Sequence, residues 1–243
     1  MKRLSLIVTL AIAAMCFGAA QQGKPGDPAA LDAVLKKMDA VAAGFTTCQA
    51  NFDWQTYQRV IDEIADVKKG VIYYRRSGKQ IEMMAEVKQA GTSESSLKAE
   101  PEFVLLSGGK VRLYQPKVDR VTEYDLGKNQ SDFETYIVLG FGGSGEDLRK
   151  TFDVTYAGQQ NVDGTATAEL HLVPKSEKVR GTYKEIDLWI DLDRGISVQQ
   201  KLIQPPGDYR LAKYSDIKVH EKIPDDVFKL KTTSKTETVK PKG

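Results

Sequence analysis

Cysteine and histidine are almost missing from this chain of 243 residues, which has two of each. Cys16 falls in an apolar leader, so Cys48 stands alone in the remainder. An internal disulfide and a cysteine-built metal cluster are therefore excluded. With only His171 and His220, most metal and triad chemistries are short of parts, and neither residue has a motif around it. An excess of charge of one sign is also lacking, with 35 basic side chains against 33 acidic. Removing Lys2 and Arg3 with the leader leaves 33 of each, a neutral surface with no electrostatic claim on nucleic acid. Beyond the leader no apolar run is long enough to span a bilayer. An apolar core is not lacking. At 41% hydrophobic and 28% charged, the chain makes one or at most two globular domains, and disorder of the whole is excluded.

Residues 1–20, MKRLSLIVTLAIAAMCFGAA, have the three parts of a secretory signal peptide. Lys2 and Arg3 supply the charged start, Leu4 to Met15 the apolar stretch, and Gly18-Ala19-Ala20 the small-residue exit. This predicts cleavage after Ala20 and export to a bacterial periplasm. In the competing reading, acylation at Cys16, Met15 occupies a position that wants a small residue.

Asp27-Pro28 forms a helix start, and Leu31, Val34, Leu35, Met38, Val41 and Ala42 recur at helical spacing up to Gly44, predicting a helix over 28–43. From Phe45 the period changes to two. Alternation predicts a strand around Phe52 and Trp54, then strands at 70–76, 79–88, 102–107, 110–115 and 119–126, separated by turn residues. Ser131 and Glu134 form a capping box that opens a short helix over 131–139. A glycine-rich stretch at 140–145 reads as mobile, and 146–150 adds a helical turn. Strands resume at 152–160, 166–173, 184–192, 196–204 and 209–219. The expected fold is mainly antiparallel β with helices: an incomplete barrel of ten or eleven strands in residues 21–228, followed by a Lys-rich flexible tail, 229–243.

On most strands one face is polar and the other carries large apolar groups. The in-phase residues Phe52, Trp54, Ile72, Tyr74, Met83, Leu106, Leu113, Leu188 and Ile190 outnumber what the helices offer to fill against them. Any one of them serves equally well as a core residue. Their surplus predicts a hydrophobic cavity that holds an apolar ligand.

The segments GVIYYRRSGK (70–79) and FVLLSGGKVRLYQPKVDRVTEYDL (103–126) carry a resemblance. With Gly70, Arg75, Arg76, Gly109-Lys110, Tyr114, Pro116, the 131–139 helix and Pro224-Asp-Asp-Val-Phe228, the chain resembles the outer-membrane lipoprotein carrier proteins, the LolA family, over roughly 29–230. Ser77 stands where that family has proline, Gly108 where it has aspartate, and the 88–101 loop is longer. The resemblance implies an unclosed barrel whose helical lid, here Phe133, Ile137 and Phe141, covers the cavity. Arg76 would then be the latch that holds the lid shut; read from its strand alone, Arg76 is an ordinary surface arginine. It also implies acylated lipoproteins or lipid as cargo, and as partners an inner-membrane release complex and an outer-membrane receptor. The protein would act as a monomer with no cofactor, no metal and no catalytic residue. A lipid or glycolipid carrier, or an envelope-stress sensor module, on the same fold would share these features.

Overall fold

In a computed structural model of the protein, residues 23–78, 80–127, 139 and 142–241 are described. The predicted leader, all of the predicted 131–139 helix but Leu139, and the three proposed lid residues, Phe133, Ile137 and Phe141, lie outside them. Helix α1 (Pro28–Ala42) starts where Asp27 and Pro28 place it. The Asp27 carboxylate accepts from the backbone N–H of Ala29 at 2.9 Å and of Ala30 at 3.3 Å, satisfying two donors the first turn leaves open. Its apolar stripe buries Val34, Leu35 and Met38.

The strands follow as β1 (Thr47–Gln58), β2 (Glu63–Ser77), β3 (Gln80–Gly91), β4 (Lys98–Ser107), β5 (Lys110–Gln115) and β6 (Arg120–Asp125). After a short helix α2 (Gly145–Thr151) come β7 (Phe152–Val162) and β8 (Thr165–Pro174). One helical turn α3 (Glu177–Arg180) precedes β9 (Glu185–Asp191), β10 (Ser197–Ile203), β11 (Tyr209–Val219) and β12 (Glu237–Val239). All belong to one open sheet of twelve strands in the order β12-β6-β5-β4-β3-β2-β1-β11-β10-β9-β8-β7. Two antiparallel meanders thus meet where β11 pairs with β1. The sheet does not close, because β7 and β12 remain edges.

Register places Phe52 opposite Gly70 and Tyr214, and Trp54 opposite Lys68 and Ala212. Gly70 has a packing reason. A Cβ there would lie 1.9 Å from the Glu86 carbonyl oxygen and 2.8 Å from the Phe52 ring. On this inner face α1 packs over Leu170, Leu172, Ile186, Leu188 and Ile190. A second cluster gathers Phe45, Cys48, Phe52, Ile72, Tyr74 and Val87. Burying each such side chain contributes about 1.5–3 kcal/mol. The glycine stretch read as mobile is pinned at two points: added Cβ atoms at Gly142 and Gly145 would meet Phe45 at 2.3 Å and Leu35 at 2.6 Å.

The tail also departs from expectation. From His220 the chain crosses the outer face, where Ile223 and Phe228 bury against Met84 and Leu105. The Arg75 guanidinium lies 4.4 Å from the Phe228 ring centre and pairs with Glu82 and Asp225. Residues 237–239 then pair in parallel with β6, giving a twelfth strand that low apolar content had hidden. Asp119 accepts from the hydroxyls of Thr233 at 2.9 Å and Thr236 at 2.6 Å, and Arg120 meets Glu237 at 3.1 Å. The composition of 229–243 offers little to bury, so this strap is held by polar contacts and three ladder residues.

Two outcomes follow from this packing. Gly70→Ala should lower stability by about 2 kcal/mol, because the obstructing atom is backbone and cannot swing away; urea melts of the two proteins measure it. Hydrogen bonds from Thr236, Thr233 and Tyr114 hold Asp119 below the ordinary aspartate range, and the Arg75 hydrogen bond does so for Asp225. Lys110 and Arg112 lower Glu123 to about 2. Depressed folded values mean that these contacts stabilise above the unfolded carboxylate pKa and are lost as pH falls through the folded ones. The amide resonances of Thr233, Thr236 and Glu237 should therefore titrate below about pH 4 while those of β8 and β9 hold still.

Candidate ligand-binding site

A cavity of about 740 Å³ lies on the inner face, in the size range of sites for small organic ligands. Alternation along each strand brings its apolar walls to one side: Trp54 from β1, Val104 from β4, Val111 and Leu113 from β5, Leu202 from β10 and Tyr214 from β11. Trp54 stacks on Phe52 with ring centres 4.0 Å apart and planes 20° apart. Its indole N–H donates to the Tyr214 hydroxyl, and burial pushes that phenol far above its ordinary value, so it stays neutral. The charged lining residues enter at several levels: Asp66 and Arg210 lie opposite Thr56 near the β1–β2 and β10–β11 turns, Lys68 lies opposite Trp54, and Glu102 pairs with Val87 in mid-sheet. Lys68 meets Glu102 at 2.8 Å, and the Gln115 amide donates to the same carboxylate at 3.4 Å. The site is amphipathic: Val104, Val111 and Leu113 make an apolar side away from those turns, and nearer the turns ionic groups stand among the apolar walls.

Of the residues proposed from the sequence, Trp54 and Leu113 line this cavity. Phe52, beneath Trp54, faces a separate hollow of about 570 Å³ whose lining includes Lys69, Asp163, Arg194 and Lys213. Ile72, Tyr74 and Leu106 are buried in the sheet's core, and Met83 is half-buried against that cluster. Leu188 and Ile190 lie under α1, where Ile190 borders a small hollow of about 170 Å³ beside Val34 and Lys37. Arg76 shares a face with Ile72 and Tyr74, its guanidinium 5.9 Å from the Tyr74 ring centre. Beside the lid segment, Leu139 is buried in the cluster under α1 and Gly142 rests on Phe45.

Sequence reading missed Leu202, Ala212 and Tyr214. Alternation in 196–204 and 209–219 already set them on one face, but only the long-range pairing of β11 with β1 brings them to Trp54. The remaining chemistry-bearing groups sit elsewhere. Burial raises the Cys48 thiol to about 12, which keeps it protonated and unreactive. His171 Nδ1 lies 2.8 Å from Asp187. Among the described residues no group of three or more His, Cys, Asp or Glu side chains is placed to hold a metal ion.

No family model matches the sequence, and no curated protein matches it. Solved structures do match in shape. An uncharacterised conserved protein from Thermus thermophilus superposes with a TM-score of 0.51 at 9% identity, over 87% of this chain and 99% of that one. The two share a fold. MucB superposes with a TM-score of 0.49 at 12% identity, over 83% of this chain; the match spans 63% of MucB, somewhat under two thirds of its length. A LolA-superfamily protein from Nitrosomonas europaea gives a TM-score of 0.38 at 14% identity, over 82% of this chain and 97% of that one. Of these three, the Thermus match exceeds 0.5, and at its identity it speaks for the fold alone.

Tyr214→Phe tests the polar contact inside the apolar wall. It should cost about 1 kcal/mol in thermal or urea unfolding by leaving the indole N–H without its acceptor. The Trp54 emission, isolated in a Trp189→Phe background, should shift with it.

Proposed function

We propose that the protein is an exported, non-enzymatic carrier that takes an acyl chain into the cavity beneath Trp54, and that its cargo is acylated lipoprotein moved between the two membranes of the envelope. The observation that carries this reading is the 740 Å³ cavity itself, apolar at Val104, Val111 and Leu113 and partly ionic nearer the turns. An acyl chain suits the Trp54, Val104 and Leu113 walls, and a polar head suits Asp66, Lys68, Glu102 and Arg210. The resemblance in 70–79 and 103–126 adds the cargo class and the direction of transfer. It also adds the lid and its latch at Arg76, whose half-buried guanidinium has five donors and keeps its charge.

Magnitudes constrain such a carrier. Burial is worth about 0.8 kcal/mol per CH₂, so one long chain contributes roughly 10 kcal/mol. Cargo can be handed on only if an empty state recovers part of this. A closed lid, latched through Arg76, is the device proposed for that recovery.

Lipid extraction from protein purified out of the periplasm, followed by mass spectrometry, separates the readings. Triacylated peptide supports the lipoprotein carrier, and free lipid or glycolipid supports a carrier of the second kind. A polysaccharide or a metal in place of lipid overturns both. In the Trp189→Phe background, a fatty-acyl ligand should change Trp54 emission saturably, and Leu113→Arg should weaken that binding at least tenfold. Arg76→Leu should still capture cargo but release it poorly; transfer at the normal rate would remove Arg76 from the mechanism.

A further inference from the structure

Among the described residues, four large apolar side chains are strongly exposed: Val60, Ile61, Val118 and Tyr124. Tyr124 borders the cavity. The other three lie on turns at one end of the strands, the end at which Asp66 and Arg210 line the cavity. Val60 and Ile61 are consecutive, at the tip of the β1–β2 hairpin, and are 95% and 53% exposed. Single exposed apolar residues are ordinary, but two in a row at a hairpin tip need a reason.

The neighbouring turn adds to them. Pro205 and Pro206 are exposed at the β10–β11 tip, and Arg59 joins the two tips into one unit. The Arg59 backbone N–H donates to the Asp208 carboxylate at 2.8 Å, and its guanidinium donates to the Pro206 carbonyl at 3.2 Å. A Cβ on Gly207, whose φ is +96°, would come within 2.7 Å of the Arg59 side chain, so the fit is close. Behind this apolar point Tyr57 and Tyr209 stack with ring centres 4.6 Å apart, and Lys201 Nζ lies 4.4 Å from the Tyr209 ring centre. The order from the tip inward is aliphatic and proline, then tyrosine and basic groups. That sequence of layers suits the step from acyl chains to headgroups.

We propose that the joined tips at 59–62 and 204–208 are a docking point for a phospholipid bilayer surface. The cavity-lining Thr56 is four residues from Val60, about 13 Å along a strand. On the carrier reading, on which the purpose of the docking rests, this shortens the path of an acyl chain through water. Charge contributes little. Arg59, Lys201 and Arg210 are balanced by Asp62, Glu63 and Asp208, and Asp62 accepts from the Tyr57 hydroxyl. The attraction is therefore apolar and should survive added salt.

Flotation with vesicles of phosphatidylethanolamine and phosphatidylglycerol, using protein recovered after export, tests it. The wild type should float at low and high salt alike. Val60→Asp with Ile61→Asp should reduce flotation at least tenfold, while Val60→Leu with Ile61→Leu retains it. Ile61→Trp should gain blue-shifted emission when vesicles are added. Wild-type protein that stays in solution, undiminished flotation of the double aspartate variant, flotation abolished by salt, or unshifted Trp emission would each overturn the proposal. So would capture of the tip by a membrane protein from cells while lipid vesicles alone fail to bind. Acyl-ligand binding by the double aspartate variant, read without vesicles, reports separately on the cavity. Its loss in the wild type would end the carrier reading and leave the docking result standing.

Discussion

One helix faces a sheet far wider than itself. At about 1.5 Å per residue, α1 is roughly 22 Å long. Twelve strands spaced about 4.8 Å apart span more than 50 Å before curvature. The stripe of Val34, Leu35 and Met38 therefore covers part of the inner face and no more, settling over β7 to β9 where Ala168, Leu170, Leu172, Ile186 and Leu188 meet it. Away from α1 the same face, built by the same alternation, lines the cavity beside Trp54. Core and cavity are two fates of one apolar surface, and the reach of α1 divides them.

That division explains which parts of the site could be read from residues. Period two assigns Leu188 and Leu113 to the same kind of face, and it did so correctly for both. It carries no information about which stretch of the face a helix will cover, so Leu188 and Ile190 looked like cavity residues and lie in the core under α1. Local signals fared best where the structure is local: Asp27-Pro28 for the helix start, Gly108-Gly109 for a hairpin turn, and the helical turn at 146–150 within α2. They failed at distance. Nothing near Tyr214 announces Trp54, because the β11–β1 pairing joins residues about 160 positions apart. The strap is hidden for a related reason. Glu237–Val239 form β12 where Asp119 receives Thr233 and Thr236 just before them and Arg120 pairs with Glu237.

Glycine shows the same limit from another side. In a sequence, the glycine-rich stretch 140–145 reads as freedom. In the fold two of these positions are where backbone comes so close to Phe45 and Leu35 that any larger residue would collide. Removing a Cβ can buy looseness or closeness, and composition does not distinguish them. Here the close approach fixes the start of α2 against α1. The Glu146 backbone N–H donating to the Asp39 carboxylate at 3.0 Å adds a polar contact between the two helices.

The position of the charges gives the site its direction. A purely apolar hollow would bury a chain in either orientation, and the cost of drawing a polar head through it would be the same from both ends. Lys68 and Glu102 break that symmetry. They sit half-buried level with Trp54 and Phe52, on the turn side of Val104 and Leu113, paired to each other while Glu102 also accepts from Gln115, so the pair is satisfied without a ligand. On the proposed carrier reading, a head group arriving there would exchange partners with an existing ion pair instead of stripping a bare charge of water. The apolar tip at Val60 and Ile61 is at the same end. On that same carrier reading, chain inward, head at the ion pair and membrane at the tip is the orientation in which each group keeps a partner of its own kind.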